Sequence, residues 1–383
     1  MLERFRLLLK KDPYLREGNE GRFFAALRRT VKRNAEGSAE YAEMLSAHGF
    51  SPDLLKGEGD LHKLPPIPTL YFKRRRLFCV PERKLVLKAL SSGTSGQRSE
   101  VGFDRSSLLL GIGMMYRFFR RHGVISLVPA NYIVVGYEPT KQNSAGAVKT
   151  AYGTTKFAPA LHREYALKYN GKEYELNVDG VKNALLRYEK SRFPVRFVGF
   201  PAFMYFLLKL LESEGITLSL NARSMVLLGG GWKEFAGEEI DREEFFSLIE
   251  TRLGIKRERC LEFYSAVEHP HAYVKCPCGR FHIPLYTRVL IRDRDTLEPL
   301  PAGEAGLLNF ITPLMTSMPL ASVLTDDIAV YGNSPCECGN PAPYFELIGR
   351  AGAKGIKTCT AEAAELMSAL TEKRDAEVKN GAD

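Results

Sequence analysis

Apolar positions recur along the chain with two periods, and the change between them organises the sequence. In residues 1–83 the period is helical. Phe23, Phe24, Leu27 and Val31 fall on one stripe of an otherwise polar stretch, which predicts a leading helical region. Pro65, Pro66 and Pro68 exclude helix between 65 and 68. The basic run at 73–76 reads as a solvated face, with a phosphate or partner contact as the alternative. From residue 84 short apolar runs alternate with loops and helical stretches. LVLKAL (85–90) leads into a Gly-rich loop and then a helical pattern, and NYIVVGY (131–137) reads as a buried strand. VRFVGF (195–200) precedes a helix over 201–214, and SMVLLGGG (224–231) precedes acidic helical sequence over 233–253. Strands alternating with helices predict an α/β core built on mostly parallel sheets across 84–348. Within it, 271–348 reads as a smaller β-rich subregion with short strands, Pro, Gly and paired cysteines. Residues 349–383 form a short tail.

Composition narrows the class. Of 383 residues, 45% are apolar and 26% charged, which excludes a mainly disordered or fibrous chain. The net charge of +9 is compatible with nucleic acid, small phosphorylated molecules or an acidic partner. No run approaches the ~18 apolar residues of a membrane span, and 7–9 is too short for a signal core. Seven cysteines are an odd number for a secreted disulfide framework. A cytoplasmic protein is expected.

Two segments carry candidate chemistry. Ser91, Ser92, Gly93, Thr94, Ser95 and Gly96, with Arg98, follow a predicted strand. Small residues let backbone N–H groups approach a phosphate, and the hydroxyls add donors. The spacing is neither GxxxxGK[ST] nor GxGxxG. A flexible Ser/Gly surface loop is the alternative. The second segment pairs Cys276-Pro277-Cys278 and His282 with Cys336-Glu337-Cys338. Zinc takes four such ligands in a tetrahedron, and Gly279 and Gly339 allow a tight turn after each pair. Five candidates for four places leave the ligand set open. A CxC redox pair or buried thiols are the rival readings.

SSGTSGQRS resembles the phosphate-clamping loop of the adenylate-forming superfamily, and other signatures follow in the same order. Gly229, Gly230 and Gly231 resemble the loop bordering adenine. Tyr264-Ser265-Ala266-Val267-Glu268 is similar to YGxTE, whose aromatic ring lies against adenine and whose Glu helps hold Mg²⁺. Thr325-Asp326-Asp327 resembles TGD, whose Asp grips the ribose hydroxyls, and Gly349-Arg350 the start of the GRxD hinge. Ser265, Val267, Asp326 and Gly352 depart from those patterns. Only 33 residues follow Arg350, so the usual mobile C-terminal domain with its late Lys is expected to be missing. With EHPHAYVKCPCGRFHIP, LTDDI, CECG and GRAGAKGIKTC, this plan is similar to the acyl-protein synthetases of the LuxE type, with phenylacetate–CoA ligases as more distant relatives.

The resemblance implies an enzyme that uses ATP and Mg²⁺ to activate a long-chain fatty acid as acyl-AMP. It passes the acyl group through a Cys thioester to a partner fatty acid reductase, a route associated with bacterial bioluminescence. Nucleic acid is not an expected partner, and an oligomer is compatible. Glu268 would anchor Mg²⁺, Asp327 would fix the ribose, and Arg350 would reach ribose or phosphate. Lys357, with Lys354, would supply the missing cation. Cys359 precedes an amphipathic pattern of Ala363, Leu366, Met367 and Leu370, a setting that favours thiolate. By position it matches the family's acyl-accepting Cys. Phe200, Phe203 and Tyr205, with Trp232, are candidates for an apolar acyl pocket or plain core. His269 and His271 read as surface histidines, with one of them orienting a ligand as the alternative. Two alternatives stay open: an acyl- or aryl-CoA ligase, or a non-catalytic, zinc-stabilised nucleotide-binding protein.

Overall fold

A computed structural model describes residues 2–91, 98–140, 146–232 and 240–350. The chain begins in one compact unit, leaves it to build a second, and returns. The first stretch holds α1 (Leu2–Leu8), α2 (Glu20–Gly37), α3 (Ala39–Ala47), β1 (Ile67–Pro68), α4 (Thr69–Arg74), β2 (Leu85–Leu90), β3 (Glu100–Asp104) and α5 (Arg105–Arg121). The second unit holds β4 (Ala130–Tyr137), α6 (Gly146–Thr154), β5 (Ala160–Tyr169), β6 (Tyr174–Leu176), α7 (Val178–Glu189), β7 (Val195–Gly199), α8 (Pro201–Ser213), β8 (Met225–Gly229), α9 (Arg242–Leu253) and β9 (Cys260–Tyr264). The returning chain adds β10 (Tyr273–Val274), β11 (Phe281–His282), β12 (Arg288–Arg292), β13 (Ala305–Ile311), β14 (Ser322–Gly332) and β15 (Tyr344–Arg350).

The second unit has the expected parallel sheet. Its strands run β9-β8-β7-β4-β5, all parallel, with β6 antiparallel at the end. Every residue of β4 is buried, as a central parallel strand covered on both faces requires. The helices begin where the sequence supplies a first-turn signal. Pro201 opens α8, and the Asp241 carboxylate accepts from the N–H groups of Glu243 and Glu244 at the start of α9. Gly199 joins β7 to α8 at φ +147°, and an added Cβ would lie 2.2 Å from the Val135 carbonyl oxygen. Only glycine fits there.

The first unit departs from the parallel expectation. Its main sheet runs β11-β15-β14-β13-β12, antiparallel throughout, with only β1 pairing parallel, to β14. β2 and β3 form a separate antiparallel hairpin. LVLKAL is therefore a largely exposed hairpin strand and not part of the parallel core. Its Lys88 ammonium lies 2.9 Å from Glu100, so the hairpin is held partly by charge.

The stripe of Phe23, Phe24, Leu27 and Val31 is the buried face of α2. Two arginines tie the leading region to β12. Arg288 meets Glu58 at 2.5 Å and lies over the Phe23 ring, while Arg292 donates to the carbonyls of His62 and Leu64. Residues 312–318 cross the interior of this unit fully buried and without regular structure. Buried backbone needs partners, and side chains from distant elements supply them. Thr30 Oγ1 donates to the Pro313 carbonyl at 3.0 Å, and Asn34 Nδ2 donates to those of Met315 and Met318 at 3.3 and 3.0 Å. The Cys79 N–H donates to the Ser317 carbonyl, and Ser317 Oγ donates to the Gly102 carbonyl. Among the described residues no helix is long and apolar enough to cross a membrane.

Asn34→Ala would leave the Met315 carbonyl buried without this donor, while the Met318 carbonyl keeps the Leu320 N–H. At roughly 1–3 kcal/mol for an unsatisfied group, the unfolding free energy should fall by about 1–3 kcal/mol. Urea denaturation followed by tryptophan fluorescence and circular dichroism measures it.

Candidate functional site

In the second unit the nucleotide-side candidates gather at the carboxyl ends of two adjacent parallel strands. Gly229 ends β8 and stands in register with Phe263 of β9, so Gly230 and Gly231 leave the sheet beside Tyr264. Gly230 and Gly231 take φ of +86° and +66°, which bends the chain sharply at the strand end. This is where open α/β sheets accept ligands. Trp232 packs between Tyr205 and Phe245, with ring centroids 5.6 and 5.7 Å away. Phe200 and Phe203 are buried in the unit's hydrophobic core, so plain core is the reading that fits these two.

In the first unit the ladder of β14 and β15 sets Asp327 directly opposite Arg350, with the Arg350 Nε 3.7 Å from Asp327 Oδ1. The Asp327 N–H donates to Thr325 Oγ1, which donates to the Leu308 carbonyl of β13 and so fixes the backbone at Asp327. Ser91 closes the base of the Ser/Gly loop. Its N–H donates to the Ser99 carbonyl at 2.9 Å, and its Oγ accepts from the Ser99 N–H at 2.8 Å. Arg98 and Ser265 are exposed. Glu268 is buried, and no hydrogen bond or ion pair engages its carboxylate among the described residues. Ser92, Gly93, Thr94, Ser95, Gly96, Lys354, Lys357 and Cys359 lie outside the described residues.

His269 and His271 are fully buried and not on the surface as expected. Their rings stack at 4.4 Å, His269 stacks on Phe310 at 4.2 Å, and each Nε2 meets a hydroxyl, of Tyr273 and Thr312 respectively. Burial holds both rings below the usual imidazole range, His271 down to about 3, so both are neutral at pH 7. They brace the segment that carries Glu268.

The cysteine and histidine candidates converge. Cys276, His282, Cys336 and Cys338 place their ligand atoms within 4.8 Å of one another. Cys278 is exposed and falls outside this group of four. Each knuckle is closed by a glycine in the left-handed region, with Gly279 and Gly339 donating their N–H groups to the Cys276 and Cys336 carbonyls at 2.9 Å. The His282 Nδ1 faces the Ala342 carbonyl at 2.8 Å and so must carry the proton, which leaves the Nε2 lone pair toward Cys338 Sγ at 3.1 Å. Burial opposes ionisation of Cys336. The N–H and thiol of Cys338 and the Arg280 guanidinium outweigh it and bring that thiol down to about 6. Burial pushes Cys276 up to about 11. Three thiols and one correctly protonated imidazole suit a borderline-soft metal ion.

The sequence reading missed the residues around this cluster. Arg280 bonds Glu346 at 2.9 Å and lies over the Tyr344 ring, and its guanidinium reaches Cys336. Tyr14 reaches His122 at 2.8 Å and packs edge-on against His282. No spacing rule connects residue 14 to residue 282.

The family model described as acyl-protein synthetase, LuxE, matches residues 8–368. The chain is 26% identical over 325 residues to the long-chain-fatty-acid–luciferin-component ligase of Vibrio harveyi, covering 82% of this chain and 80% of that protein. It is 22% identical over 320 residues to the phenylacetate–coenzyme A ligase of Thermus thermophilus, covering 82% and 66% respectively. The solved structure of 2-hydroxyisobutyryl-CoA ligase in complex with 2-HIB-AMP and CoA superposes with a TM-score of 0.65 at 17% identity, covering 89% of this chain and 70% of that one. That likeness establishes a shared fold.

Cys79 and Cys260 are buried, and burial pushes both thiols up to about 12. They should therefore stay protonated and unreactive to well above pH 9. Brief iodoacetamide treatment of the native protein at pH 8, followed by peptide mass mapping, should leave both unlabelled.

Proposed function

The chain belongs to the LuxE acyl-protein synthetase family and is a ligase; from that premise we propose that it activates a long-chain fatty acid with ATP, carries the acyl group on Cys359 and delivers it to a partner reductase. The observation that carries this reading is the family match over residues 8–368, which spans every motif residue from Ser91 to Cys359. The fatty acid carboxylate attacks the α-phosphorus of ATP, the bond to pyrophosphate breaks, and acyl-AMP forms. Anion meets anion in that step, so catalysis rests on alignment and charge neutralisation. Residues 91–96 with Arg98 hold the outer phosphates. Gly229, Gly230, Gly231, Tyr264 and Ser265 border the adenine, and Asp327 grips the ribose hydroxyls with Arg350 beside it. Lys357, with Lys354, supplies the further cation.

Two metal roles fit the residues present. The Glu268 carboxylate, engaged by no hydrogen bond or ion pair among the described residues, suits Mg²⁺, a hard cation that takes oxygen ligands and would offset phosphate charge. Cys276, His282, Cys336 and Cys338 suit a closed structural zinc that joins the two knuckles. In the second chemical step the Cys359 thiolate attacks the acyl carbonyl carbon and AMP leaves, giving a thioester. The reductase then accepts the acyl group. Free thiols and an ATP-dependent reaction suit the cytoplasm.

The similarity to a phenylacetate–coenzyme A ligase favours a second reading, in which free CoA is the acceptor. Acceptor chemistry separates the two. With ATP, Mg²⁺ and labelled fatty acid, a hydroxylamine-sensitive label should map to Cys359. Cys359→Ser should keep carboxylate-dependent ATP–pyrophosphate exchange and lose transfer to the reductase. A CoA ligase gives the reverse, with free CoA acylated and Cys359→Ser nearly neutral.

Glu268→Ala should lower ATP–pyrophosphate exchange at least tenfold, since losing such a contact costs a few kcal/mol. Full exchange in that variant would remove Glu268 from the mechanism. Elemental analysis of purified protein should find about one zinc per chain. Cys336→Ser should lower thermal stability more than ATP affinity, and a metal-free protein that is folded and active would exclude the structural site.

A further inference from the structure

A cavity of about 320 Å³ opens in the first unit, between α1, the middle of α2 and Thr316. Its wall carries five cationic side chains, Arg4, Arg28, Arg29, Lys32 and Arg33, against two carboxylates, Glu3 and Asp53. Glu3 is already engaged, 3.5 Å from both Arg6 and Arg22. Arg33 reaches Asp104 only at 4.0 Å. Among the described residues neither Arg29 nor Lys32 has an ion-pair partner. Arg28, Arg29, Lys32 and Arg33 stand on neighbouring turns of one helix, where like charges destabilise.

The floor of the cavity shows what is missing. Arg4 is 5% exposed, a rare degree of burial for a guanidinium. Its Nη1 donates to Thr316 Oγ1 at 3.1 Å and its Nη2 to Ser106 Oγ at 2.9 Å, which fixes the plane of the group. Its Nε is buried with no hydrogen-bond partner. Burial, with Arg33 adding and Asp104 opposing, holds Arg4 down to about 10. The one carboxylate near it, Asp104, already accepts from the Ser107 N–H and the Thr316 hydroxyl and lies 4.0 Å from Arg33, so Arg4 shares its counter-ion and is only partly neutralised. A guanidinium matches phosphate oxygens, and four further cations at the rim would balance more than one negative charge.

We propose that this cavity is a binding site for a small phosphorylated anion, seated on Arg4 and closed over by Arg29 and Lys32. It consists wholly of residues outside the proposed adenylation machinery. Occupancy replaces cation–cation repulsion with attraction, so the ligand stabilises the leading helices against the buried segment 312–318. Binding by charge also weakens as salt rises.

The test uses the full chain with Arg29→Gln/Lys32→Gln, two exposed positions whose replacement spares the core. Inorganic phosphate, pyrophosphate and ribose 5-phosphate are titrated calorimetrically, with chloride at matched ionic strength as control. At least one of the three should bind the wild-type chain, with a component weakened tenfold or more in the double variant. The three arms distinguish a bare anion from a phosphate ester. Thermal melting gives the second readout. The double variant should melt higher than the wild type without ligand and lose the ligand-induced rise in Tm. Absence of binding to the wild type, or equal binding by both proteins, overturns the proposal.

Discussion

The stretch from Thr312 to Met318 is buried backbone that belongs to no helix or strand, and the first unit is arranged around satisfying it. The segment's carbonyls are met by Thr30 and Asn34 of α2, and its N–H at Thr316 by Ser107 of α5. The Ser317 hydroxyl and the Met318 sulfur reach back to Gly102 of β3. Each bond alone contributes on the order of 1 kcal/mol, yet leaving any group unpaired costs more. The leading helices, the β2–β3 hairpin and the sheet are thereby tied to one strip of chain.

Three residues beyond that strip begins β14, whose first half carries Thr325 and Asp327. The pairing of β14 with β15 then sets Asp327 opposite Arg350. The same strip presents Thr316 to Arg4. The nucleotide-side candidates of the second unit depend on a simpler device. Parallel register between β8 and β9 places the glycine turn beside Tyr264. The thiol–imidazole cluster joins two turns far apart in sequence, and a metal ion there would act as a cross-link at one edge of the antiparallel sheet.

Charge is distributed unevenly. The net +9 of the chain includes arginines buried as structural ties, Arg288 and Arg292, whose charges are matched by Glu58 or by carbonyls. Arg4 differs because its partners are hydroxyls and one donor has none. The formal charge is the same in all three cases, and only the surroundings separate a tie from a binding group.

Much was determined by the sequence itself. Helical spacing of Phe23, Phe24, Leu27 and Val31 marks the buried face of α2, and the apolar runs at 131–137, 195–200 and 224–231 mark β4, β7 and β8. These are local patterns, read by the 3.6-residue and two-residue periods of side chains. The same local reading went wrong where environment rules. LVLKAL is apolar but sits in an exposed hairpin, and the antiparallel sheet of 281–350 has no local sign of strand direction. His269 and His271 look like polar surface residues, yet stacking with Phe310 and bonds to Tyr273 and Thr312 make their burial possible. Five sulfur and imidazole donors were legible, but which four converge was not, because Cys276 and Cys336 are 60 residues apart. Arg4 meets Thr316 across 312 residues. Periodicity reports which face of an element is buried; it carries no information about what distant chain is brought against that face, and only the tertiary structure decided that.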